Sequence, residues 1–162
     1  MAIRYLKIML VIFVALLCVT YAAQNVANLD KAYTFVASAA GMQDHAAYPS
    51  SFGPAVRTAP LVWAALTVII LGEFAAGLLA AKGVWDLWAA RRAPAAGFNA
   101  AKTYALLGCG GALLVWFGLF GAIGGAYFQM WQTPLGSASL EGAFQFAAQI
   151  GIVMLFVNMA DS

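Results

Sequence analysis

The residues able to do chemistry in this chain are few and far apart, and Glu73 stands out among them. It sits in Leu71-Gly72-Glu73-Phe74-Ala75-Ala76, about two-thirds along an apolar run, with no lysine or arginine nearer than Lys82. An ionised carboxylate facing lipid costs roughly 3 kcal/mol on insertion scales and more by simulation. Glu73 must therefore be protonated, face the interior of a helix bundle, or meet a partner. Donors in similar surroundings are scarce: Thr67 on the same run, Tyr104 and Asn158 on others. Two roles are open. The carboxyl could relay protons or cations, or contact a quinone or a partner subunit. Equally, it could be a neutral group hydrogen-bonded between helices as polar glue. A relay needs polar groups in series, and the other apolar runs supply no such series.

The remaining inventory is thinner still. His45 is the single histidine, so bis-histidine haem ligation is impossible within one chain, and its loop setting predicts a solvated surface residue. Cys18 and Cys109 fall inside separate apolar runs, towards opposite membrane sides, and read as buried small apolar residues rather than a disulfide or metal pair. Met130 has no histidine or cysteine neighbour and is no metal site by itself. No phosphate-binding glycine loop, zinc spacing or nucleophile elbow occurs. These absences predict no resident cofactor, no metal and no self-contained enzyme; membrane-embedded catalysis would need groups from a partner chain.

Four long apolar stretches must position these residues: about Tyr5–Ala23, Pro60–Lys82, Thr103–Gly125 and Gly142–Met159. Each holds roughly 18–23 residues, enough for a helix to cross a hydrocarbon core of about 30 Å. Hydrophobic residues make up 64% of the 162 and charged residues 9%, against about 25% charged in soluble domains. The expected fold is an all-α membrane protein, a four-transmembrane-helix bundle forming one membrane domain over residues 1–162. A net charge of +2 without a long basic run gives no reason to expect nucleic acid. Arg4, Lys7, Lys82, Arg91, Arg92 and Lys102 gather at one set of helix ends, Lys31 and Arg57 at the other. That asymmetry places both termini in the cytoplasm. A rival reading exists for the first span, because Arg4, Lys7, the run Ile8–Val19 and Thr20-Tyr21-Ala22 also resemble a cleavable secretory signal. Gln24 and Asn25 suit a retained helix end equally well.

The outer loop, residues 24–59, is the only sizeable piece outside the spans. A short interfacial helix is expected there over about 28–41, with Asn28 as N-cap, Leu29, Tyr33, Val36 and Ala40 on one face, and Gly41 as its end. Trp85 and Trp88 beside Arg91 and Arg92 suit the headgroup layer of the inner connection, which Pro94 and Gly97 interrupt. Gly111, Gly118 and Gly125 recur every seven residues, and Gly121 and Gly125 are four apart. At helical spacing they would open one close-packing groove, complemented by Gly72, Ala76 and Ala80 on the second span. Internal packing and a docking surface for another protein both fit that groove. Tyr127, Phe128, Met130, Trp131 and Gln132 cluster at the outer interface, as a belt anchor or as an outer cap shared with Tyr48 and Phe52. Glu141 would favour the positive N-terminus of the last span.

The stretch Trp116-Phe117-Gly118-Leu119-Phe120-Gly121-Ala122-Ile123-Gly124-Gly125-Ala126-Tyr127-Phe128-Gln129-Met130-Trp131-Gln132, followed by Glu141-Gly142-Ala143-Phe144-Gln145-Phe146, resembles a bacterial family of predicted small four-span integral membrane proteins carrying a domain of unknown function. The first half matches more loosely, through Asn25, Phe35-Val36, Met42 and Glu73. The resemblance implies the four-span layout and a bacterial cytoplasmic membrane, and brings no activity with it. It also implies an acidic residue where Ala126 stands, so a function resting on that carboxylate is not expected here. Together these features lead to two expectations. One is a non-catalytic accessory or structural component packed against a larger membrane complex; the other is a small self-associating transporter, or a proton or lipid carrier, using Glu73.

Overall fold

A computed structural model describes residues 1–161. Four long helical rods lie side by side, and no strand occurs among the described residues. Helix α1 covers Ala2–Ala27, α2 Leu29–Ala40 and α3 Ala59–Ala89. The short α4 (Ala95–Ala100) leads into α5 (Thr103–Leu113), which continues as a more widely wound segment, Leu114–Tyr127. A single tight turn, Met130–Gln132, precedes α6, Pro134–Asn158. Helices α1, α3, α5 and α6 pack in that order around the bundle, and α6 returns to touch α1. The core between them is small and mostly aliphatic: Val11 and Cys18 of α1, Ala76 and Ala80 of α3, Ala105 and Cys109 of α5, Ile150 and Val157 of α6.

Outside that core the bundle is as apolar as within it. Phe13, Leu71, Leu114, Phe117, Phe144, Ile152 and Leu155 all project from its flanks, Phe144 with 74% of its surface uncovered. All four rods are long and apolar enough to cross a bilayer. Such side chains on every flank are stable only against lipid, where helices satisfy their own backbone groups.

The spans run longer than their apolar cores. Helix α1 keeps Gln24 and Asn25 within its last turn. Helix α3 does not stop at Lys82 but continues through Trp85 and Trp88, so these belong to a helix rather than to a connection. An ion pair from Lys82 to Asp86, one turn on, supports that extension. Helix α6 starts at Pro134, eight positions before Gly142: proline's fixed φ suits a first helical position, and the Thr133 hydroxyl accepts from the Gly136 N–H at 3.1 Å. Glu141 therefore lies two turns inside α6 and has no helix N-terminus beside it. Asn28 also acts differently from the N-cap expected of it. Its side-chain amide donates back to the Gln24 carbonyl at 2.9 Å, closing the end of α1 instead of opening α2. Helix α2 ends at Ala40, but the left-handed backbone after it falls on Met42 and Asp44, not on Gly41.

The third span departs most from regular winding. From Leu114 its hydrogen bonds reach back five residues, ending with the Phe128 N–H on the Ile123 carbonyl at 2.9 Å. A seven-residue repeat keeps residues on one face only at 3.5–3.6 residues per turn, so the glycine repeat does not line up. Gly111 faces Ala76, Gly125 faces Leu140 of α6, Gly121 meets only its own segment, and Gly118 has nothing within 4 Å. Close backbone packing occurs elsewhere, between α3 and α5. A Cβ at Gly108 would lie 2.5 Å from the Ala80 nitrogen, and one at Gly83 would collide with the Ala105 backbone. Gly77 lets α1 approach at Cys18 and Val19, and Gly72 accommodates Val115. These contacts bring Cys18 and Cys109 to the same level of the bundle rather than to opposite sides.

Candidate functional site

Because α1 and α3 run antiparallel, Glu73 comes level with the last turn of α1. It is 1% exposed, and its Oε2 accepts a hydrogen bond from Asn25 Nδ2 at 2.9 Å. Thr67, Tyr104 and Asn158 make no bond to it; Tyr104 lies instead beneath the Lys82 ammonium, 4.7 Å from the ring centre. Asn25 could have been found from the sequence as a polar residue one turn inside an apolar helix, but only the antiparallel register says that it meets Glu73.

Glu73 and Asn25 border a cleft of about 270 Å³ between α1, the widely wound segment and the first half of α6. Tyr21, Trp116 and Phe146 wall it, together with Phe35, Phe120 and Ser139. The three rings meet pairwise edge to face: Tyr21 and Phe146 at 5.0 Å, Trp116 and Phe146 at 5.7 Å, Tyr21 and Trp116 at 5.8 Å between centres. Two apolar grooves lie along the same bundle. One, of about 290 Å³, runs from Val36 to Met130 past α3 and shares Phe35 and Phe120 with the cleft. The other, of about 350 Å³, lies further along the α1–α6 seam towards the termini, between Phe13, Leu17, Ile150 and Val153. Among the described residues no three histidine, cysteine or acidic side chains gather as metal ligands. The arrangement can hold a molecule with an apolar body and a polar head; the Ser139 hydroxyl in its lining donates to the Leu135 carbonyl.

A second polar cluster, not anticipated from the sequence, closes the opposite end of the α1–α6 seam. The Lys7 ammonium donates to Asp161 Oδ2 and to the Met159 carbonyl, each at 2.6 Å. Lys102 reaches the same carboxylate oxygen at 2.6 Å, the Met159 carbonyl at 2.7 Å and Asn99 Oδ1 at 2.7 Å. Asn99 and Asp161 also exchange hydrogen bonds through their backbone and amide groups. Arg4 donates to the carbonyls of Arg91 and Ala93 and lies over the Phe98 ring at 4.7 Å. Burial alone would raise the Asp161 carboxyl, but the hydrogen bonds from Lys102 and Lys7 outweigh it and hold the group below the usual carboxylate range. Each basic residue was legible as an orientation signal, yet nothing in its spacing announced Asp161 as the shared partner.

At the end of the bundle away from the termini, the first loop folds over the aromatic turn. Phe52 packs on Tyr127 at 5.3 Å, and Tyr48 on Trp131 at 5.4 Å. The Tyr127 hydroxyl donates to the Pro54 carbonyl at 3.3 Å, and Tyr127 and Phe128 meet edge to face at 4.7 Å. Gln132 accepts from the Tyr48 N–H at 2.7 Å and donates to Gln129 at 2.7 Å. Met130 is buried beneath this turn, 3% exposed, against Gly124. His45 is not solvated as expected. It is half-buried, and its Nε2 reaches neither solvent nor any partner among the described residues. A void of about 20 Å³ beside it, bordered by Ser38 and Thr133, is large enough for one water molecule.

No curated protein and no solved structure matches this chain. Residues 3–160, nearly its whole length, match the family described as predicted small integral membrane protein (DUF2165), and the chain belongs to that family.

Proposed function

We propose that this chain, as one membrane domain, is a small carrier for an amphiphilic molecule, working through Glu73. One observation carries the reading: a carboxyl group almost wholly shielded from solvent borders a cleft with a neutral amide as its sole hydrogen-bond partner among the described residues. A purely structural carboxyl is better served by a sealed setting with every acceptor site filled. Here the cleft shares Phe35 and Phe120 with an apolar groove that suits the body of an amphiphile, as ligand sites with a few polar groups do. Four short spans enclose no pathway by themselves, so carriage across the bilayer calls for self-association. The gathering of Arg4, Lys7, Lys82, Arg91, Arg92 and Lys102 near the end that holds both termini supports a cytoplasmic location for that end. A bacterial inner membrane is the host that fits this reading.

The test is mass spectrometry of the protein released intact from lipid nanodiscs. The parent should retain a small molecule through mild activation. Gly142→Trp, which places an indole in the cleft, should release it while the fold survives. A parent that retains nothing, or a plugged variant that retains as much, would sink the reading.

A second reading keeps the chain as an accessory component of a larger membrane complex. Its support is specific: Gly110, Gly118 and Gly151 have open space beside them, which a neighbouring helix could fill. Gly118→Phe would then strip a co-purifying partner without altering the isolated chain's stability.

A further inference from the structure

We infer that the cleft is a site for organic ammonium ions, with Glu73 as the counter-charge and Tyr21, Trp116 and Phe146 as the aromatic wall. This inference rests on the carrier reading and specifies the head of the molecule carried. No lysine or arginine borders the cleft, so an ionised Glu73 has no cationic partner of its own among the described residues. Asn25 fills one acceptor site on Oε2, and no donor among the described residues reaches Oε1. A buried carboxylate in such surroundings is costly unless a cation arrives with the ligand.

The walls then select which cation fits. A small hydrated metal ion needs several oxygen ligands, and the cleft offers one carboxyl, an amide, a phenol and a serine hydroxyl. An alkylated ammonium has little hydration to lose and is attracted by ring faces, which carry negative potential. Three aromatic side chains and a carboxylate line the one cleft and provide both terms there. Glu73 lies level with the last turn of α1, so the same chemistry could come from a lipid headgroup or from a free organic cation. The shared group is the ammonium head.

The test uses purified full-length protein and radiolabelled choline in a scintillation proximity assay. Choline should bind, and its uncharged tert-butyl isostere should compete at least about tenfold more weakly. Glu73→Gln should lower choline affinity at least about tenfold, since an opposite charge at close range in a low-dielectric site is lost. Tyr21→Leu should lower it about fivefold, the loss of one ring–cation contact, while Tyr21→Phe retains it. Glu73→Gln should elute and melt like the parent, because the substituted side chain keeps an amide oxygen to accept from Asn25. Tyr21→Leu should elute like the parent with a modestly lower melting point, since it loses two ring contacts at the bundle's edge.

Reconstitution separates the two sources. If the occupant is a lipid headgroup, phosphatidylcholine vesicles should block choline binding and phosphatidylglycerol vesicles should permit it. If it is a free cation, both should permit it. Equal binding of the isostere, unchanged affinity in Glu73→Gln, or no choline binding in either vesicle type would overturn the inference. A molecule still retained in nanodiscs would then leave the carrier reading standing without the ammonium assignment, whereas an empty cleft would remove both.

Discussion

Asp161→Ala is the most informative single perturbation of this fold. One carboxylate oxygen receives the ammonium groups of both Lys7 and Lys102 at 2.6 Å, and these residues are 2% and 3% exposed. Removing one member of a buried ion pair costs about 3–5 kcal/mol, because the remaining charge is left uncompensated. Two features reduce that figure. Both lysines keep the Met159 carbonyl, and Lys102 also keeps Asn99. The cluster also lies at the end of the bundle, where headgroup water lessens each charge's isolation. The expected loss is about 2 kcal/mol, or a melting shift of about 4–8 °C for a chain of this size. Scanning fluorimetry in mild detergent reads it. Adding Lys7→Met and Lys102→Met to Asp161→Ala should restore most of the loss, since the orphaned charges go too. The pH dependence has a definite sign. A folded-state pKa held below its unfolded value contributes stability above the unfolded value and loses it as pH falls through the folded one. Parent and Asp161→Ala should therefore converge only in strong acid, below the ordinary carboxylate range. A melting point unchanged by Asp161→Ala at neutral pH, or a triple variant no better than the single one, would refute the reasoning.

Other expectations follow from the same contacts. Gly108→Leu should destabilise the bundle by about 1–3 kcal/mol, because its side chain must displace the Ala80 backbone; Gly118→Ala, with open space around it, should be neutral by the same fluorimetry. Asn25→Leu should cost more than Glu73→Gln, by about 1 kcal/mol or more, because it leaves a buried carboxyl with no donor whereas the glutamine amide still accepts from Asn25. Cys18 and Cys109 are both fully buried and free, so a maleimide should label neither in the folded protein and both after denaturation.

The architecture was readable because lipid leaves so few options. A run such as Leu61–Leu71 must be helical, and it must be apolar on every side, so composition alone marks the rods. Partners were not readable for the opposite reason: a hydrogen bond across two helices depends on their relative register, which composition leaves free. Glu73 visibly needed a partner, yet Asn25 lies 48 positions away. The two meet only because Gly77 seats α3 against Cys18. The glycine repeat misled because it presumed regular winding, and Leu114–Tyr127 is wound more widely. Tyr48 with Trp131 and Phe52 with Tyr127 were anticipated as one cap because both segments had to emerge at the same end. Glu141 lost its place beside a helix terminus when Pro134 started the helix earlier.

The cluster of Lys7, Lys102 and Asp161 also bears on how the chain is made. Lys7 emerges early in synthesis and its partner Asp161 is 154 positions later, so no nascent intermediate can neutralise that ammonium until the final span has inserted. Until then α1 is held by its packing on α3, and its seam with α6 stays open. Wedding the first rod to the last makes closure of the bundle the last step of assembly.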